Sequence, residues 1–290
     1  MYMSKILIIT CSYDKTIDYI IEKNKYRANF FRFNVDLFAD YGITISNSYW
    51  EISYRNNTIN SNTTLSIYYR KPTFPDTSDF APEYRRIINS DILAIIDGLA
   101  NSFSGVVLTK PYLLRQAENK IFQLIYAKSH SILMPKSFIG NNDYWKCIND
   151  QRIIKPISVG KIETSSGIAI IQTNLMHEND SYDSPELTPV YIQEYIKKSF
   201  EVRITVVDDD FFAVKIVSDN MIDWRAGNNN QYEIIDIPIE IKKCIKMMMK
   251  DFQLRFGAID YIVDIDGKWY YFNRKTAYMY RNMTVKSASG

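Results

Sequence analysis

Cysteine and histidine are scarce, at three and two in 290 residues. Cys11, Cys147 and Cys244 stand far apart with no paired spacing, so the chain encodes neither a disulfide framework nor a Cys/His zinc site. Unpaired thiols suit a reducing compartment, and the cytoplasm is the expected location. No apolar run approaches the ~20 residues of a membrane span. The run Ile6–Ile9 is too short for a signal-peptide core and lacks a small-residue cleavage site. Excess charge is missing too, since 35 Lys and Arg against 33 Asp and Glu leave a net charge of +2. That excludes a general electrostatic grip on nucleic acid but not a local basic patch.

Hydrophobic residues make up 46% of the chain, enough for an ordinary core, and the length corresponds to about two domains of roughly 100–200 residues. Ile6–Thr10, Thr16–Asn24 and Phe30–Phe33 read as strand, helix and strand, a βαβ start. Strands are expected at Thr44–Ile52 and Thr64–Tyr69 around a polar turn at Arg55–Asn62. A helix follows over Glu83–Ala100, then Val106–Leu108, with Pro111 closing the first region. A helix over Glu118–Ser129 opens the second. Arg152–Pro156 is a short strand before a Ser/Thr/Gly loop, Ser158–Gly167, and the strand Ile168–Thr173. Asn174–Pro189 reads as a polar connection, and Tyr191–Ile196 as an apolar hinge strand. Strands at Glu201–Val207 and Phe211–Ser218, an amphipathic helix over Pro238–Phe252, and the hairpin Phe256–Asp264 with Lys268–Phe272 complete the pattern.

Three places carry chemistry. Lys155 ends a β run and precedes small residues whose backbone N–H groups can cover phosphates, although a lysine at a strand end is ordinarily a solvated charge. Gln193-Glu194-Tyr195-Ile196 reads either as a strand running into a polar turn or as a hinge whose backbone reads a purine. Asp266-Gly267 is a strong hairpin signal. A two-residue loop there puts Asp260 directly opposite Asn273, with Lys275 two positions further on the same face. Two acids at such a pair would hold Mg²⁺ against phosphate oxygens. The sequence offers one acid, one amide and one ammonium.

Lys155-Pro156, the loop, Gln193-Glu194-Tyr195-Ile196, Glu201-Val202-Arg203-Ile204-Thr205 and Phe256-Gly257-Ala258-Ile259-Asp260 occur in an order that resembles the ATP-grasp family. Tyr69-Arg70-Lys71-Pro72, Glu118-Asn119-Lys120 and Asp223-Trp224-Arg225 are similar to its microviridin-type graspetide ligases, which close macrocyclic peptides through side-chain esters or amides. The resemblance implies an α/β chain with α+β lobes: a pre-ATP-grasp domain over 1–112, a central lobe over 113–190 and a C-terminal lobe over 191–290. It implies ATP and Mg²⁺ as cofactors and a ribosomal precursor peptide with a leader as partner. It leaves room for a homodimer and calls for neither nucleic acid nor membrane. It gives Lys120, Lys155, Gln193, Glu194 and Ile196 to the nucleotide, Arg203, Arg225 and Asp223 to catalysis, and Asp260 and Asn273 to the metal. Without the ordered set, Arg203 and Arg225 would read as exposed salt bridges.

The pattern breaks at one place. Thirteen and fifteen residues after the metal-binding Asp the family has Glu and Asn, where this chain has Asn273 and Lys275. The expectations are an impaired site, Lys275 standing in for a cation, or an acid supplied by Asp264 or Asp223. The segment Arg274–Gly290 is basic and lacks the Gly-containing turn and helix that follow in the family. An active peptide ligase, an impaired nucleotide- or peptide-binding partner, and a ligase for small amino acids therefore stand as alternatives.

Overall fold

The computed structural model describes residues 4–141, 151–158, 161–164, 167–170, 173–176, 187, 189–222, 224 and 227–275, with only the backbone at 161–164, 167–170 and 273–275. They form two compact units, one up to Arg115 and one from Gln116 onward.

In the first unit, β1 (Lys5–Thr10), α1 (Lys15–Asn24) and β2 (Phe30–Asn34) form the expected βαβ start. A 3-10 turn, Val35–Asp40, leads to β3 (Gly42–Ile45), β4 (Trp50–Tyr54) and β5 (Asn57–Asn60), which pair as an antiparallel sheet. The expected single strand Thr44–Ile52 is thus a hairpin, because Ser46 turns the chain with its Oγ accepting from the Ser48 and Tyr49 amides. The expected turn Arg55–Asn62 contains β5. Next come β6 (Thr64–Tyr69), α2 (Pro82–Ser102) and β7 (Val106–Leu108), in a parallel sheet of order β2-β1-β6-β7. Leu7, Ile8 and Ile9 are buried without alternation, as in a strand covered on both faces. Asp14 caps α1 by accepting from the Thr16 amide and also takes Arg70 Nε at 2.9 Å, so the Arg70 of Tyr69-Arg70-Lys71-Pro72 is a buried tie between β6 and α1.

Pro111 does not simply end a region. It starts α3 (Pro111–Glu118), at a position where its missing N–H costs nothing. In the second unit, α4 (Lys120–Ser129) is capped by Asn119, whose side chain accepts from the Ile121 and Phe122 amides. β8 (Ser137–Gly140) and β9 (Arg152–Lys155) precede β10 (Lys161–Thr164), which stands where a loop was expected, and β11 (Gly167–Ile170), which overlaps the expected strand Ile168–Thr173 and pairs antiparallel with β10. With β12 (Asn174–Met176) and β13 (Val190–Glu194), an antiparallel sheet of order β12-β9-β13-β8 forms, burying Ile192 and Met176 on one face and Ile153 on the other.

The second sheet of this unit contains β14 (Lys198–Val207), β15 (Asp210–Ser218), β16 (Asn230–Ile234), β17 (Phe256–Asp264) and β18 (Trp269–Lys275), in the order β16-β15-β14-β17-β18. The intervening α5 (Ile239–Asp251) buries Ile245, Met248 and Met249. The β17–β18 turn is one residue longer than expected. The Asp264 amide donates to the Lys268 carbonyl, leaving Ile265, Asp266 and Gly267 in the loop, with Gly267 at φ +79°. A bulge then makes up the difference. Tyr261 pairs with Tyr271 but Asp260 with Asn273, so Phe272 is the surplus residue. The expected opposition of Asp260 and Asn273 therefore holds, by a different route.

Candidate nucleotide and acyl-transfer site

The first sheet of the second unit brings four polar side chains to one face. Lys155 on β9 pairs with Tyr191 on β13, and Gln193, two residues along β13, pairs with Ser137 on β8. Lys155 is only 9% exposed, which sets aside the solvated-charge reading. Its Nζ donates to Gln193 Oε1 at 2.6 Å and stands 3.3 Å from the centre of the Phe272 ring. Gln193 is wholly buried, and its Nε2 donates to Ser137 Oγ at 2.8 Å and Tyr191 Oη at 3.2 Å. A desolvated ammonium gains from an aromatic face and an oriented carbonyl oxygen. Burial pushes the Tyr191 phenol up, with the Ser137 bond opposing.

Lys120, at the start of α4, donates from Nζ to the Pro156 carbonyl, directly after Lys155. Two lysines thus converge where β9 ends. On the other side of β13, Glu194 and Lys136 are held together: the Glu194 amide donates to the Lys136 carbonyl at 2.8 Å, and Glu194 Oε2 accepts from the Lys136 amide at 3.1 Å. Ile196 is half-buried in the link from β13 to β14. Burial raises the Tyr270 phenol, and the carboxylates of Asp264 and Glu194 add to the effect.

In the second sheet Arg203, Asp260 and Asn273 occupy paired backbone positions on β14, β17 and β18. Arg203 Nε and Nη2 each donate to Asp260 at 2.8 Å, with both side chains 3% exposed. Arg203 is therefore not an exposed salt bridge but half of a buried bidentate pair, and Nη1 lies outside that pair. Its guanidinium also lies 5.6 Å from the Trp224 ring. Asp223 and Arg225 lie outside the described residues.

The β17–β18 row offers a divalent cation one carboxylate, that of Asp260. Both oxygens of Asp260 accept from Arg203, and the paired position on β18 is the neutral residue Asn273. Lys275 pairs with Ala258. Asp264, the alternative acid, uses Oδ1 to accept from the Asp266 and Lys268 amides and so caps the hairpin loop. Among the described residues, no three His, Cys, Asp or Glu side chains cluster closely enough to hold a metal ion.

Sequence reasoning missed Ser137, Tyr191 and Phe272. Alternation along β13 pairs Tyr191 with Gln193 and could have found the first of the pair. Ser137 required the β8–β13 register and Phe272 the bulge, and neither has a local sequence signal.

No protein-family model and no curated protein sequence matches the chain. Solved structures do. The macrocyclase MdnC from Microcystis aeruginosa, bound with precursor peptide MdnA, is 22% identical with a TM-score of 0.86, over 95% of this chain and 92% of that one. A RiPP-associated ATP-grasp ligase from Chryseobacterium gregarium, in complex with ADP and a leader and core peptide, is 23% identical with a TM-score of 0.84, over 96% and 90%. D-alanine–D-alanine ligase from Bacillus anthracis is 14% identical with a TM-score of 0.54, over 95% and 87%. The chain has the ATP-grasp ligase fold.

Proposed function

We propose that the chain is an ATP-dependent peptide ligase that builds macrocycles in a ribosomal precursor peptide carrying a leader. The likeness to peptide-bound macrocyclases over almost the whole chain carries this reading, at a TM-score of 0.86 against 0.54 for the small-amino-acid ligase. The division into a first domain over 1–112 and lobes over 113–190 and 191–290 belongs to the same proposal, as does location in the cytoplasm.

In this reading an Asp or Glu side chain of the peptide attacks the γ-phosphorus of ATP, and ADP leaves. A Ser or Thr hydroxyl, or a Lys amine, of the same peptide then attacks the acyl phosphate carbonyl. Phosphate leaves, the attacking group gives up its proton, and an ester or amide closes the ring. The peptide loses one water for each link. Catalysis of this kind rests on positioning and charge neutralisation. Lys120 and Lys155 supply positive charge for the phosphates, and Glu194 and Ile196 line the adenine end. Arg203 offers Nη1 to the developing acyl phosphate while Asp260 fixes its plane, and Arg225 with Asp223 completes the set. ATP is the nucleotide. Asp260, which also orients Arg203, would hold Mg²⁺ with Asn273 at the paired position, and the ion would neutralise phosphate charge.

Mass spectrometry of the chain with ATP, Mg²⁺ and the peptide encoded beside its gene tests the proposal. Loss of one water per link, with ADP release, is the expected result. Nucleotide binding with no mass change on the cognate peptide would overturn it in favour of an impaired binding partner. Turnover of free amino acids alone would also overturn it.

A further inference from the structure

Gln193 has a role that its place in the hinge sequence does not reveal. A lysine ammonium only donates hydrogen bonds, so the amide beside it must present oxygen and turn its NH₂ away. The surroundings of Gln193 enforce that choice. Ser137 Oγ donates its own proton to the Pro135 carbonyl at 2.9 Å, and the Tyr191 hydroxyl donates to Ser137 Oγ at 3.5 Å. The Ser137 proton is thereby directed elsewhere, and both hydroxyl oxygens receive Gln193 Nε2. A flipped amide would put NH₂ against the ammonium and its oxygen against a Ser137 oxygen whose proton points away. Burial also holds the Tyr191 phenol in its protonated form, as the arrangement requires.

We propose that Gln193, oriented by Ser137 and Tyr191, is the positioning residue that fixes the Lys155 ammonium against Phe272 for the nucleotide phosphates without cancelling its charge. This inference rests on the ligase reading above. A carboxylate at position 193 would hold Lys155 equally well but neutralise it. The neutral amide separates orientation from neutralisation, and the wholly buried setting makes the difference large.

The test is titration of the full chain with a fluorescent ATP analogue, followed by anisotropy, with thermal melts to check folding. Gln193→Glu is expected to weaken binding by about tenfold or more. In a Lys155→Met background the same substitution should have almost no further effect, because its action passes through that ammonium. Ser137→Ala should weaken binding several-fold, and Ser137→Thr should restore it. Equal losses from Gln193→Glu with and without Lys155 would overturn the inference, as would unchanged affinity. Should Gln193→Glu fail to fold, the contrast between Ser137→Ala and Ser137→Thr decides, and equal affinity in those two overturns it. Absence of nucleotide binding by the unaltered chain would count against the ligase reading itself, whereas binding that ignores these substitutions would count only against the role of Gln193.

Discussion

Asp260 is buried against Arg203, and its neighbour across the β17–β18 pair is Asn273 rather than an acid. Desolvating both members of such a pair is costly, and removing one partner leaves the other without compensation. Asp260→Asn is therefore expected to lower stability by roughly 3–5 kcal/mol, measured by urea denaturation. Loss of less than about 1 kcal/mol would mean that the pair behaves as a surface ion pair. Asn273→Glu addresses the other half of the row. It adds a carboxylate at the position paired with Asp260, so nucleotide binding should gain a stronger dependence on Mg²⁺ than the unaltered chain has. Parallel titrations with Mg²⁺ and with EDTA measure this, and an unchanged ratio would argue that position 273 does not face the phosphates. The residue types of this row were legible in the sequence. The bond between Arg203 and Asp260 was not, because it depends on β14 and β17 being neighbours, a contact between positions 57 residues apart.

The elements themselves were largely readable where their patterns are long. α2, α5, β6, β14 and β17 stand close to their expected spans, since each carries sustained apolar spacing. Short strands were lost. β5 is Asn-Thr-Ile-Asn and β16 is Asn-Gln-Tyr-Glu-Ile, both polar enough to read as turns, and only pairing with β4 and β15 makes them strands. The β17–β18 turn shows how a register can be right while its loop is wrong. Gly267 sits at φ +79°, a conformation that penalises a Cβ, and nothing lies within 4 Å of where that atom would go. Gly267→Ala should therefore cost about 1 kcal/mol through backbone strain alone, with Gly267→Asn costing less. Equal stability of all three in urea would contradict the assigned turn.

At the scale of the whole molecule, the buried phenols set a limit at high pH. Burial raises the Tyr68, Tyr191 and Tyr261 phenols above 10.0, furthest for Tyr261, where the neighbouring Cys244 and Tyr271 add to the effect. The folded chain holds these protons more tightly than the unfolded chain. Their contribution is complete below pH 10.0 and is lost as pH rises through the higher folded values. Melting temperature should accordingly fall from about pH 10 upward, and less steeply in Tyr261→Phe. An unchanged slope in that variant would remove Tyr261 from the account. The α/β first unit and the α+β second unit were both legible from the order of motifs, whereas sheet order and the two converging lysines needed the fold. The bulge in β18 has a last consequence, for the loss or gain of single residues. A hairpin lacking the surplus residue at position 272 would have no bulge and would keep Asp260 paired with Asn273. It would also have no ring beneath Lys155. A deletion in β18 can therefore preserve one sheet's alignment while stripping the other sheet's lysine of its aromatic support.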